Sequence, residues 1–291
     1  MGFRARLASR QETAETLVCV GLDPLLEKMP QCLNDGPGSL ADKTELWMSD
    51  IAAATGPFAS MFKPQSAHWE AIPGGVEALK RTVDRIRRMC PDIPIFGDGK
   101  RGDISRTQQK YRDAFFDILG VDGMNFSPYM GKDCMAALVD KENPGRALVG
   151  LCYTSNPEAR EIQDLVLGDG SRLWESMAFK ILCWAEDLGV VEDAGLVMAA
   201  AYESPKKSGK IYSNHLAICR KLVGDRLWFL IPGIGTQGGA IEETVRAAYT
   251  GPGSIAINSS SEIIFASNSS DFAEAAAKKA KELRDQINAA L

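Results

Sequence analysis

Two carboxylates and a lysine lie close together in the segment Asp98-Gly99-Lys100-Arg101-Gly102-Asp103. The segment follows an apolar run that reads as a buried strand over residues 93–98. Side chains alternate along a strand, so Asp98 and Lys100 point to the same side. Carboxylates beside an ammonium keep it charged and fixed, which suits a group that stabilises a carbanion and then donates a proton. We therefore predict that Lys100 is the catalytic group, held between Asp98 and Asp103. A surface charge cluster is the alternative, but this one ends a buried strand.

A second candidate site is rich in glycine and hydroxyl groups. The loop Pro232-Gly233-Ile234-Gly235-Thr236-Gln237-Gly238-Gly239 follows one apolar run, and Asn258-Ser259-Ser260 ends the next. Backbone N–H groups in such loops, together with the start of a following helix, bind phosphate at the last two strands of many barrels. We expect a phosphorylated substrate here. Glycines that only form tight turns are the alternative.

Eight short apolar runs would position these groups. They cover residues 17–22, 60–63, 93–98, 123–127, 147–153, 196–200, 227–231 and 254–258. Helical patterns separate them, which is typical of βαβ units around a parallel sheet. Most runs end in a polar residue, including Asp23, Lys63, Asp98 and Asn125, as expected at the catalytic face of a closed barrel. We predict a single (β/α)₈ TIM barrel domain over residues 1–291, with an open doubly wound sheet as the alternative.

Composition excludes several classes of protein. A net charge of -5 argues against a general binder of nucleic acid or membrane surfaces, because both need a cationic face. The seven cysteines are scattered and never in CxxC spacing, which predicts reduced thiols in a cytoplasmic protein and no zinc site. No stretch is apolar for long enough to span a bilayer.

The sequence resembles the orotidine 5'-phosphate decarboxylase family, in particular its longer bacterial type. Five blocks in family order carry this resemblance: Val20-Gly21-Leu22-Asp23-Pro24, Phe62-Lys63-Pro64-Gln65, the core Asp98-x-Lys100-x-x-Asp103-Ile104-x-x-Thr107, Thr154-Ser155-Asn156-Pro157, and the strand-seven loop. Related sugar-phosphate enzymes share the core motif alone. The resemblance implies decarboxylation of orotidine 5'-phosphate to UMP, in pyrimidine biosynthesis, without a metal or an organic cofactor.

The resemblance also implies roles for individual residues. Lys100 would protonate C6 of the pyrimidine, with Asp98 orienting it. In a homodimer, three residues would reach the partner's active site: Asp103, Ile104 and Thr107. The remaining contacts would go to the substrate's other parts: the ribose (Asp23, Lys63), the pyrimidine (Ser155) and the phosphate (Pro232, Gln237, Gly238).

One position departs from the family pattern. An arginine usually follows the strand-eight Asn-Ser-Ser run to pair with the phosphate, and here Ser261 and Glu262 stand instead. Two alternatives stay open: a sugar-phosphate decarboxylase or aldolase that shares the core motif and uses Mg²⁺, and a nucleotide-binding homologue that lost efficient turnover with the arginine. The first expects a carboxylate at strand two, where this chain has Lys63. The complete set of Asp98, Lys100 and Asp103 argues against the second.

Overall fold

A computed structural model describes residues 1–203, 211–233 and 238–291 of the chain. Within these residues, eight parallel strands form one sheet. The strands are β1 (Val18–Leu22), β2 (Met61–Pro64), β3 (Phe96–Arg101), β4 (Gly123–Phe126), β5 (Ala147–Tyr153), β6 (Ala194–Met198), β7 (Trp228–Pro232) and β8 (Ile255–Ser259). Each strand pairs with its neighbours in chain order, and β8 pairs with β1. Parallel bridges from Phe62 to Ile95 and from Gln65 to Asp98 join β2 to the β3 segment and close the barrel.

Helices cover the outside of the barrel. In the described residues they are α1 (Phe3–Ala14), α2 (Gln31–Asn34), α3 (Leu40–Thr55), α4 (Ser66–Glu70), α5 (Gly75–Met89), α6 (Ser105–Arg112), α7 (Lys132–Ala136), α8 (Ala159–Gln163), α9 (Leu173–Asp187), α10 (Asn214–Val223), α11 (Gly238–Ala248), α12 (Ser261–Ile264) and α13 (Phe272–Asn288). A π-helix, Asp113–Leu119, continues α6, and two short strands, Tyr202–Glu203 and Ile211–Tyr212, pair antiparallel. No helix in the described ranges is long and apolar enough to cross a membrane.

The helix sequences explain these boundaries. A capping box starts α3, in which the Ser39 hydroxyl accepts from the Asp42 N–H at 3.2 Å and the Asp42 carboxylate accepts from the Ser39 N–H at 3.2 Å. Along α5, the buried residues recur at helical spacing, as Ala78, Leu79 and Val83 show. These apolar stripes pack the helices on the strands.

The barrel interior is apolar at its amino end and polar at its carboxyl end. Helix α1 closes the amino end, where Phe3 stacks on Trp228 with ring centroids 5.3 Å apart. Side chains two residues apart on a strand lie on the same face of the sheet, so both face the barrel interior when one of them does. Met61 is therefore followed inside the barrel by Lys63, and Phe96 by Asp98. A charged layer of side chains therefore lies directly above the packed apolar layer inside the barrel.

The structure confirms the (β/α)₈ barrel and all eight strands. Seven begin and end within two residues of their predicted bounds. The prediction for the third strand, residues 93–98, was wrong, because β3 runs from Phe96 to Arg101. Pro94 lacks an N–H and cannot donate to a neighbouring strand, so residues 93–95 make only an isolated bridge.

Candidate active site

Asp98 is the centre of a charged cluster at the carboxyl end of the barrel. One carboxylate oxygen, Oδ2, accepts a hydrogen bond from Lys63 Nζ at 2.8 Å. The other, Oδ1, accepts from Lys100 Nζ at 2.6 Å and from Asn125 Nδ2 at 2.6 Å. Asp98 and Lys63 are buried, whereas the Lys100 side chain is 44% exposed. The cluster thus holds one lysine inside the barrel and presents the other to the open end.

Burial and charge act in opposite directions on these groups. Burial by itself raises the pKa of Asp98, but Lys63 and Lys100 lower it more, so the net pKa lies well below the ordinary value. Burial by itself lowers the pKa of Lys63, but Asp23 and Asp98 raise it more, so the net pKa lies well above the ordinary value. Both groups are therefore charged at neutral pH.

The backbone of β3 is irregular where it carries Lys100. Gly97 pairs with Met124 and Arg101 with Phe126, so four steps along β3 match two along β4. Lys100 has a φ of 47°, a left-handed conformation that non-glycine residues rarely adopt. Such a bulge redirects a side chain, and here the redirected side chain is the predicted catalytic lysine.

Asp23 lies at the end of β1 beside the same cluster. Its Oδ1 atom is 3.9 Å from Lys63 Nζ. That oxygen is buried and accepts no hydrogen bond from the described residues. A buried acceptor without a donor costs free energy, so it is a fitting partner for a hydroxyl group of a bound molecule.

The structure does not bring Asp103 to Lys100 within one chain. The Asp103 carboxylate accepts from the backbone N–H of Ile104 at 2.7 Å, and Lys100 pairs with Asp98 alone among the described carboxylates within 4.0 Å. The expectation that two carboxylates flank Lys100 is therefore not met inside a single chain. Ile104 and Thr107 are exposed on the same loop and the start of α6.

Ser155 and the end of β7 meet at a cavity of about 300 Å³. Ser155, Gly233 and Arg160 line it together with residues from the ends of β5 and β6. Pro232 is the last residue of β7, and Gly233 follows it with a φ of 87°. Gly238 begins α11. The predicted residue Gln237 lies outside the described residues.

The strand-eight end carries no cation at position 261. Ser261 is exposed at the first position of α12. Just before it, Asn258 Nδ2 donates to Ser260 Oγ at 3.3 Å. Among the described residues that line the neighbouring cavity, Arg160 is the cation, and its guanidinium lies 4.8 Å from the centroid of the Tyr202 ring.

Sequence reasoning missed the part that Asn125 plays in this cluster. Its position at the end of β4 was readable as one more polar strand end. Its contacts with residues 98–100 were not, because they depend on the bulge in β3. Sequence reasoning also assigned Lys63 to the ribose alone, whereas its ammonium contacts Asp98 directly.

A closed barrel of eight parallel strands, with an ammonium and a buried carboxylate at the strands' carboxyl ends, defines a (β/α)₈-barrel enzyme. The family model described as "Orotidine 5'-phosphate decarboxylase / HUMPS family" matches residues 16–276. The chain belongs to this family.

Individual relatives agree with this assignment. Orotidine 5'-phosphate decarboxylase of Bordetella avium is 37% identical over 290 residues, which cover 99% of each chain. The enzyme of Cupriavidus necator is 35% identical over 99% of this chain and 98% of its own. The structure of Leishmania donovani OMP decarboxylase superposes with a TM-score of 0.78 at 28% identity, over 100% of this chain and 98% of that one.

Proposed function

We propose that the protein decarboxylates orotidine 5'-phosphate to UMP, as its relatives' names state for them. One observation carries the proposal: Lys100 Nζ lies 2.6 Å from the buried Asp98 carboxylate at the open end of a barrel of this family. The buried anion attracts the ammonium and holds it in place. The reaction needs such a cation beside the carbon that loses CO₂.

The bond between C6 and the carboxylate breaks, and its electron pair stays on C6. Lys100 faces this developing carbanion, stabilises it by its charge and donates a proton from Nζ to C6. CO₂ leaves, and UMP remains. Asp98 orients Lys100 throughout, and Lys63 keeps Asp98 anionic through its 2.8 Å contact. Lys100 supplies the stabilisation that an organic cofactor supplies in other decarboxylases.

The other site residues bind the rest of the substrate. The Oδ1 of Asp23, which has no hydrogen-bond donor among the described residues, accepts a hydrogen bond from a ribose hydroxyl, and Lys63 beside it donates to the same sugar. Ser155 hydrogen-bonds the pyrimidine in the cavity that it lines with Gly233. The loop from Pro232 to Gly238, with Gln237 in it, binds the phosphate.

We further propose that the whole chain is one barrel domain that works as a cytoplasmic homodimer. Asp103 has no contact with Lys100 in its own chain, and Ile104 next to it is an exposed apolar residue. A partner surface that covers Ile104 would place Asp103 and Thr107 at the neighbour's active site. Each site would then combine residues of both chains.

Incubation of the purified protein with orotidine 5'-phosphate tests the activity. We expect loss of the substrate's absorbance and formation of one UMP per substrate consumed, before and after treatment with EDTA. Lys63 fills the place beside Asp98 where a magnesium-dependent sugar-phosphate enzyme would have a carboxylate. An activity that EDTA abolishes and Mg²⁺ restores would therefore overturn the proposal, as would the absence of UMP.

A further inference from the structure

We propose that Asn125 is a positioning residue that sets the backbone and the carboxylate on which the proton donor Lys100 depends. The inference rests on the proposed decarboxylation, because it concerns the same site. Asn125 lies in β4, next to β3 in the barrel, and is 1% exposed. It does not belong to the charged set that the sequence motif defines.

Asn125 uses both ends of its amide on the catalytic segment. Its Oδ1 accepts from the backbone N–H of Gly99 at 3.0 Å and of Lys100 at 2.6 Å. Its Nδ2 donates to Asp98 Oδ1 at 2.6 Å. Two N–H donors face one end, so that end must be the oxygen and the other must be the NH₂ group. The orientation of the amide is thereby fixed by its surroundings.

The hydrogen bonds to Asn125 replace the backbone pairing that the bulge interrupts between β3 and β4. In a regular strand, successive N–H groups point alternately to the two neighbouring strands, so only one of Gly99 and Lys100 would donate toward β4. The register shift between Gly97 and Arg101 interrupts the ladder and turns both N–H groups toward Asn125. Asn125 accepts hydrogen bonds from both of them. Lys100 can then keep its left-handed φ of 47°, a conformation that persists only where the surroundings enforce it.

The same side chain also shares the carboxylate oxygen that Lys100 uses. Both Asn125 Nδ2 and Lys100 Nζ donate to Asp98 Oδ1. Asn125 therefore fixes Lys100 at two points, its backbone N–H and the acceptor of its ammonium. Loss of the amide should let the ammonium move away from C6 without removing any group that touches the substrate.

A matched control separates positioning from general stability. Gln11 is also buried and also uses both ends of its amide, although both of its partners are backbone groups: Nε2 donates to Ile255 O at 2.7 Å, and Oε1 accepts from Gly253 N–H at 2.7 Å. It lies at the amino end of the barrel, in α1, away from the charged cluster. Gln11→Ala therefore removes similar hydrogen bonds from the opposite end.

The test compares kcat and KM for orotidine 5'-phosphate in the parent, Asn125→Ala and Gln11→Ala proteins at a temperature where all three are folded. We expect Asn125→Ala to lower kcat by about tenfold or more, since it removes a hydrogen bond to a charged group, with KM within about threefold of the parent. Gln11→Ala should lower Tm and leave kcat within about twofold of the parent value. An Asn125→Ala protein with a parental kcat would overturn the proposal.

Asn125→Asp gives a second readout, which also serves if Asn125→Ala does not fold. The variant keeps the shape and the acceptor oxygen but loses the donor to Asp98 and puts a second carboxylate beside it, so each carboxyl group raises the pKa of the other. We expect the pH profile of kcat to gain an ionisation that the parent lacks. A parental kcat together with an unchanged profile would contradict the positioning role. UMP formation by the parent tests the decarboxylation separately, so the two proposals can fail independently.

Discussion

Two buried aspartates, one at each end of the barrel, are surrounded by cations in different ways. At the carboxyl end, Asp98 contacts the ammonium groups of Lys63 and Lys100. At the amino end, Asp122 precedes β4 and contacts the guanidinium groups of Arg6 at 2.8 Å and Arg87 at 2.9 Å. Its second oxygen accepts the backbone N–H of Ile95 at 2.9 Å.

The arginines of the amino end are tied to backbone as well as to Asp122. Arg87 Nε donates to the carbonyl of Gly120 at 3.1 Å, and Arg146 Nη1 donates to that of Val121 at 2.7 Å. A guanidinium holds several acceptors at once but cannot give up its proton in a protein. The amino-end cluster can therefore stabilise the packing of the helices and loops at the amino end of the barrel, but it cannot transfer protons.

The carboxyl-end cluster has the opposite properties. Lysine ammonium groups can donate a proton, and the Lys100 side chain is 44% exposed toward the open end. Its backbone is held in a left-handed conformation, and the nearby Oδ1 of Asp23 has no partner among the described residues. We therefore propose that similar charge clusters serve chemistry at the carboxyl end of the barrel and stability at the amino end.

The largest effect on activity is expected from Lys100→Ala and Asp103→Ala, made in separate chains and then mixed. Lys100→Ala and Asp103→Ala homodimers should both be nearly inactive. If Asp103 completes the neighbour's site, a mixed population should recover about a quarter of the parental activity, because half the dimers are hybrids with one intact site each. Activity is measured after unfolding and refolding equal amounts together. Verified hybrids without activity would confine each site to one chain.

Substitution at the amino-end cluster should affect stability and not catalysis. Asp122→Ala removes the acceptor of two arginines and of the Ile95 N–H, which should lower the free energy of unfolding by about 1.5–3 kcal/mol. Urea titrations of the parent and the variant measure this difference. The kcat of the folded variant should stay within about twofold of the parent value. A large loss of kcat would show that the amino end contributes to the reaction.

A gain of function is expected at position 261. Ser261→Arg supplies the bidentate phosphate partner that serine cannot provide, so kcat/KM for orotidine 5'-phosphate should rise by about tenfold or more. The gain should vanish with unphosphorylated orotidine, which serves as the control. If the ratio for the phosphorylated substrate does not rise, another cation already fills this role, and Arg160 at the neighbouring cavity is the residue to replace next.

The smallest effect concerns acid stability. The pKa of Asp98 is below its ordinary value in the folded protein, so the unfolded chain binds this proton more readily. Its contribution is present above about pH 4, the unfolded value, and is lost as the pH falls. Asp98→Asn should therefore make the free energy of unfolding less dependent on pH below about pH 4 than in the parent. Urea titrations at several pH values measure the free energy of unfolding of both proteins. If this free energy falls equally steeply with pH in the parent and in the variant, the assigned charge state is wrong.

The barrel could be predicted from sequence because its strands are buried on both faces. All five residues of β1 are buried, and such continuous apolar runs between amphipathic helices leave few alternative folds. The pairing of Asp98 with Lys100 was also predicted from their spacing of two residues, although in the structure a bulge in β3, and not regular alternation, gives Lys100 its direction. In these cases, the signal lies in residues that are close in the chain.

The remaining features depend on contacts between distant residues. Asn125 on the next strand stabilises the bulge in β3. No local sequence pattern around Lys100 predicts its left-handed conformation. Asp122 meets Arg6 only because α1 closes the amino end of the barrel. In the proposed homodimer, the location of Asp103 relative to Lys100 would depend on a second chain. Spacing in one sequence does not contain this information.

The most direct test of the difference between the two ends is the kcat of Lys100→Ala beside that of Asp122→Ala, measured on orotidine 5'-phosphate with both proteins folded. Removing Lys100, the proposed proton donor, should lower kcat by about 10³-fold, within the range that general acid catalysis contributes. Removing the amino-end aspartate should leave kcat within about twofold of the parent value. A Lys100→Ala protein that keeps a parental kcat, or an Asp122→Ala protein that loses as much as Lys100→Ala, would contradict the division between a catalytic and a structural end.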